Sequence, residues 1–173
     1  MLGAISRYGA RVLPNTEQIV QQCRKRGELI QGPQIEAFQK AFANHLGLER
    51  ATSASYGRMA FYYILKALQL PPGSEIIFPA LTFWVVPEIA RVAGLRPVFA
   101  DIDPATFNLA PEAFERAITS QTRAVVPTHL YGLPCDMNEI SAIARRHNLV
   151  VIEDCAHSLG ARYCGRPVGT LGD

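Results

Sequence analysis

Glu153 and Asp154 stand side by side at the end of an apolar run, Val150-Val151-Ile152, and His157 follows three residues after Asp154. A carboxylate and an imidazole at this spacing could form an acid–base pair or hold the ionisable atoms of a cofactor. The structural alternative is a carboxylate that caps a neighbouring turn, and residue chemistry alone leaves both readings open. A second group lies at Ser53-Ala-Ser-Tyr-Gly57-Arg58-Met59, between a short extended stretch and a long apolar segment. If that segment is a helix, its free amides and positive end face whatever docks there, as suits a phosphate. Gly57 allows close backbone approach, Ser55 offers a hydroxyl and Arg58 a charge. An ordinary helix start with a surface arginine would look the same. The third group is Thr82-Phe83-Trp84, where an aromatic ring could stack on a flat cofactor or simply pack in the core.

Other motifs fail on their chemistry. Gly160 and Gly165 have the spacing of a phosphate loop, but no Lys follows, and Pro167 removes an amide donor where one is needed. Gly-x-Gly-x-x-Gly, the dinucleotide fingerprint, is missing, and so is the Gly-x-Ser-x-Gly of a nucleophile elbow. The four cysteines, Cys23, Cys135, Cys155 and Cys164, include no Cys-x-x-Cys pair, which argues against zinc or a disulfide framework. Phosphate cradle, aromatic plate and carboxylate together are the parts that hold pyridoxal phosphate. The carboxylate would keep the ring nitrogen protonated and so make the ring an electron sink.

The elements that must position these groups follow from periodicity. Helices are expected over residues 16–26, 33–45, 57–70, 82–93, 111–119 and 136–147. Pro33 and Pro111 open two of them, and Asp136 with Glu139 makes a capping box. The segment 57–70 is apolar enough to expect burial on most sides. Strands are expected near 51–53, 75–78, 96–100, 123–126 and 148–152. The strand runs are continuously apolar, which predicts an α/β fold with a mostly parallel sheet covered on both faces. Ligands of such sheets collect at the carboxyl ends of the strands, where Asp154 lies.

With 173 residues and 49% hydrophobic content, the chain can build a core of about one domain. A net charge of +2, with Arg24-Lys25-Arg26 as the densest basic cluster, gives no case for nucleic acid. No stretch is long enough to span a membrane, and free thiols fit a cytoplasmic location.

Five stretches extend the argument: GPQIEAFQKAFANHLG, PPGSEIIFPALTF, GLRPVFADIDPATFNL, TRAVVPTHLYGLPCDM and VVIEDCAHSLGARYCGRPVGTLGD. In this order they resemble the DegT/StrS-type sugar aminotransferases, a branch of the fold-type I pyridoxal-phosphate enzymes. The resemblance implies that Asp154 pairs with the pyridine nitrogen and that Phe83 stacks on the ring. It puts His157, where the family often has glutamine, near the ring's phenolic oxygen. Gly57, Arg58 and Met59 correspond to the phosphate-binding turn, with arginine in place of the usual threonine, so a hydroxyl contact is lost while backbone amides remain. The lysine that bonds covalently to the cofactor has no counterpart among Lys25, Lys40 and Lys66, so no catalytic residue is assigned.

The resemblance thus implies an N-terminal arm and helix over 1–31, and part of the cofactor-binding large domain over 32–173. The smaller C-terminal domain is not represented. An intact relative would move an amino group from an amino acid, expected to be glutamate, to a keto group on a nucleotide-linked sugar, working as a homodimer. A non-catalytic partner subunit or remnant, and part of a related sugar dehydratase, are the alternatives. A sheet divided at this point is also expected to leave an unpaired edge that favours association.

Overall fold

The protein is described by a computed structural model over residues 14–173; residues 1–13, part of the expected arm, lie outside it. Six α-helices occur among the described residues: α1 (Thr16–Arg26), α2 (Pro33–Leu46), α3 (Gly57–Leu68), α4 (Val85–Val92), α5 (Pro111–Ala117) and α6 (Met137–Arg146). Pro33 and Pro111 occupy first-turn positions, where a missing N–H costs nothing. Asp136 caps α6 by accepting from the Glu139 amide.

Four strands, β1 (Glu75–Pro79), β2 (Arg96–Ala100), β3 (Thr122–Val125) and β4 (Val150–Val151), form one parallel sheet in the order β2-β1-β3-β4. Every residue of β1 is buried, which explains why its sequence does not alternate. Its side chains divide between two cores. Ile76 and Phe78 join Phe61 and Leu65 of α3 and Ala90 of α4, whereas Ile77 joins Phe114 of α5 and Ile140 of α6. Helices therefore cover both faces, as the apolar strands required.

Two expectations are corrected. The stretch 51–53 is irregular and mostly exposed, and it pairs with no strand of the sheet. Helix α3 buries only Phe61 and Leu65, because it covers the sheet with one stripe and leaves Tyr63, Ile64 and Lys66 in solvent. Where the rejected phosphate loop would stand, Gly165 belongs to a hairpin: β5 (Arg162–Tyr163) pairs antiparallel with β6 (Arg166–Pro167). Cys164 and Gly165, at φ 48° and 81°, make its two-residue turn, a conformation that Gly165 adopts without steric cost.

The sheet has two edges. In β2, Arg96 N–H bonds inward to Ser74 and the Ala100 carbonyl accepts from Ala80, so Pro97 and Phe99 present their backbone outward. In β4, Ile152 N–H bonds inward to Val125, and Val151 faces out. Val151 is nevertheless satisfied on both sides. Its N–H donates to Asp173 Oδ2 at 2.9 Å, and its carbonyl accepts from the Asp173 amide at 3.0 Å.

Candidate cofactor site

The chain leaves β1 toward β2 on one side, then returns past β1 to β3 and continues to β4. The direction of winding reverses between β1 and β3, and such a reversal opens a crevice beyond the carboxyl ends of the two strands. Here the crevice is bridged by Thr82, after β1, and Thr128, after β3, whose hydroxyls lie 3.1 Å apart. Thr128 in turn forms a parallel bridge with Asp154. Thr82, Thr128 and Asp154 therefore line up across one sheet edge, with Phe83 next to the first.

Helix α3 arrives at the same place. It runs into β1 and packs in the core with Ile152, so its N-terminus, Gly57, lies toward the strands' carboxyl edge. Side chains alternate along the end of β4: Val151 belongs to the α5/α6 core and Ile152 to the α3/α4 core. Asp154 thus falls on the α3 side and Glu153 on the other.

The half-buried Asp154 accepts from the Ala156 amide through Oδ1 at 3.1 Å, and no described donor reaches Oδ2. Its backbone is held on both sides: its N–H donates to the Pro127 carbonyl at 2.9 Å, and its carbonyl accepts from His129 N–H at 3.1 Å. Phe83 is 60% exposed, with its centroid 6.1 Å from that of Trp84, so it is not a core residue. His157 is exposed and stacks on Tyr131 at 5.8 Å and 22°.

At the start of α3, the Met59 amide donates to the Tyr56 carbonyl at 2.9 Å. This leaves the Gly57 and Arg58 amides as the helix's open donors. The Arg58 guanidinium lies over the Tyr56 ring at 4.7 Å to its centroid. Its charge thus rests against an aromatic face, which leaves the amides rather than the side chain open at this turn.

Sequence reading missed three parts of this edge. Tyr131 sits in the left-handed region at φ 53°, an uncommon conformation for a bulky residue, before Gly132 at φ 87°. Buried Asn108 holds this turn by accepting from Leu130 N–H and donating to the Leu133 carbonyl. The other two parts are Thr128 and the buried His129–Glu153 pair, 3.0 Å apart. Their signal was present in Pro-Thr-His directly after an apolar run, but two adjacent acids drew attention to only one of themselves.

Burial works to raise the Glu153 pKa, yet the hydrogen bond from His129 and those from the Gly169, Leu171 and Gly172 amides outweigh it and hold the carboxyl below its ordinary range. Glu75, buried at the opposite sheet edge, is likewise lowered, first by Thr119 and then, against the cost of burial, by Thr122 and Arg96. A lowered folded-state pKa stabilises above the unfolded value and is lost as pH falls through the folded one. Stability is therefore expected to stay flat toward acid until about pH 4.5, the ordinary carboxyl value, and to fall below it. Denaturant midpoints measured against pH would show this. Glu153→Gln should shrink the acid-side loss and remove roughly 2 kcal/mol at neutral pH.

Cys155 and Cys135 are pushed up to about 12, chiefly by burial, so neither thiol supplies a nucleophile at neutral pH. His129, Glu153 and Cys155 lie close enough to share an ion. However, His129 accepts the Cys135 amide at Nδ1, which leaves Nε2 carrying the ring proton toward Glu153. Neither nitrogen then has a lone pair for a metal.

A parallel α/β sheet with an open helix end, an exposed aromatic ring and a carboxylate at its carboxyl edge defines a cofactor-binding class of fold. The chain belongs to the DegT/DnrJ/EryC1/StrS aminotransferase family, whose sequence profile matches residues 13–173. It is 45% identical over 139 residues to a GDP-perosamine synthase of Caulobacter vibrioides, covering 80% of this chain and 38% of that protein. Among solved structures, an aminotransferase from Psychrobacter cryohalolentis superposes with a TM-score of 0.89 at 35% identity, over 94% of this chain and 42% of the other. An E. coli GDP-4-keto-6-deoxy-D-mannose-3-dehydratase with bound hydrated PLP gives 0.89 at 27% identity, over 95% and 44%. The chain thus spans less than half the length of these relatives.

Proposed function

We propose that this chain is the N-terminal portion of a pyridoxal-phosphate-dependent aminotransferase that acts on a nucleotide-linked keto sugar with an amino-acid donor, expected to be glutamate. The observation that carries the reading is Asp154: a half-buried carboxylate at a strand end, with an oxygen free of protein donors, beside the crevice that the topology opens. The sugar class comes from the relatives, one of which is a GDP-perosamine synthase. The resemblance to a dehydratase structure keeps a sugar dehydratase as the second reading.

The residues present fit the cofactor. Asp154 would accept a hydrogen bond from the protonated ring nitrogen and keep the proton on it, Phe83 would cover one face of the ring, and the amides of Gly57 and Arg58 would take the phosphate. Met59, whose amide is engaged within the first turn, would contribute less. His157, oriented by Tyr131, would donate to the ring oxygen. When bound, pyridoxal phosphate supplies the electron sink for moving an amino group. Residues 1–31 are read as an arm and helix and 32–173 as part of the large domain. The protein is read as a cytoplasmic homodimer, and exposed Trp84, Tyr131 and Leu159 suit a contact between copies. No described helix is long and apolar enough to cross a membrane.

The test is direct binding. Titration with pyridoxal phosphate, followed by absorbance and fluorescence, should saturate, and inorganic phosphate should compete. None of Lys25, Lys40 and Lys66 is among the residues assigned to the crevice, so borohydride should leave cofactor bound there removable by dialysis. Failure to saturate would sink the reading, and stable attachment to Lys66 would reassign the nucleophile.

A further inference from the structure

Glu153 is next to Asp154 in sequence yet serves the opposite face. Its side chain is 4% exposed, and its two oxygens accept four hydrogen bonds. Oε1 takes the amides of Leu171 and Gly172 at 2.6 and 2.7 Å. Oε2 takes the Gly169 amide at 2.9 Å and His129 Nε2–H at 3.0 Å. The approach is close: a Cβ on Gly172 would fall 2.6 Å from the Val151 carbonyl oxygen, so only glycine lets this amide reach Glu153. His129 is fully buried, with Nδ1 taking the Cys135 amide at 2.9 Å, and its own N–H holds the Asp154 carbonyl. Three segments meet at one carboxylate: the loop after β3, the end of β4 and the turn 169–172.

We propose that Glu153 and His129 form a positioning clamp for Asp154. Glu153 fixes the imidazole through Nε2–H, the imidazole fixes its own backbone, and that backbone with Pro127 fixes both sides of the Asp154 peptide. The carboxylate is thereby aimed at the crevice without either clamp residue touching a ligand. That the aim serves a cofactor rests on the proposed function; the clamp itself does not.

Two substitutions divide the imidazole's roles. His129→Gln places an amide N–H where Nε2 stood, and His129→Asn places an amide oxygen where Nδ1 stood. In the whole chain, amide hydrogen exchange at Asp154 and at Gly169, Leu171 and Gly172 reports the clamp, and pyridoxal phosphate titration reports its consequence. His129→Gln should hold both near wild type. His129→Asn should speed exchange at these amides about tenfold or more and weaken cofactor binding about fivefold. Equal behaviour of the two variants overturns the clamp, and so does faster exchange with unaltered affinity. A wild-type chain that binds no cofactor, with the exchange difference intact, overturns the cofactor reading and upholds the clamp.

Discussion

Asp154→Asn should weaken binding of pyridoxal phosphate to this chain roughly ten- to a hundredfold. A hydrogen bond between a charged ring N–H and a carboxylate contributes about 1.5–3 kcal/mol, and about 1.4 kcal/mol is tenfold in affinity. Asparagine keeps the shape, and its oxygen can still accept from the Ala156 amide, which now bonds Oδ1 at 3.1 Å. What it cannot supply is negative charge, so it cannot favour the protonated ring. The pH dependence separates the two effects: the variant should bind best where the ring nitrogen is deprotonated, whereas wild type should hold its affinity toward neutral pH. Equal affinities across pH would remove Asp154 from the site.

The largest loss of stability should come from Phe78→Ala, about 3–5 kcal/mol in denaturant unfolding. Phe78 is fully buried at the centre of the sheet. Its ring lies 6.3 Å from that of Phe61, nearly edge-on at 74°, and 6.4 Å from that of Phe99. Phe61 belongs to α3, the helix whose N-terminus opens toward the crevice, so the cavity would loosen the phosphate turn as well as the core. Cofactor affinity should therefore fall with stability here, unlike in Asp154→Asn, where stability should hold. A loss under about 1 kcal/mol would contradict this packing.

The fold was largely legible because its strands carry their own signature. Glu75–Pro79 is buried throughout, and its run Ile76-Ile77-Phe78 is continuously apolar since helices lie on both its faces; a sequence can state that without a partner. Ala51-Thr-Ser carries the same local preference and is no strand, because pairing depends on what lies beside it. Helix α3 misled for a related reason: aromatic and branched residues fill its exposed side, and composition does not reveal which side is covered. At the candidate site, the place of Asp154 at a strand end was legible from the apolar run before it. His129 was not, since its role depends on Cys135, Asp154 and Glu153, which only the folded chain brings together. The contact of Arg58 with Tyr56 was likewise hidden, since sequence shows a charge at the turn but not the ring it lies over.

The two rims of the sheet determine how this protein can meet its neighbours. Among the strand residues that point outward from β2, Pro97 has no N–H to give, so a guest strand would find a broken row of donors there. At the other rim, Asp173 already occupies both backbone groups of Val151. The expected sticky edge is thus closed at Val151, and extension of the sheet from one copy to the next is disfavoured at both rims. Any self-association of this chain would then rest on side chains such as Trp84 and Phe99, at 69% and 55% exposure. It should accordingly be shape-specific and saturable, ending in defined particles rather than in fibres.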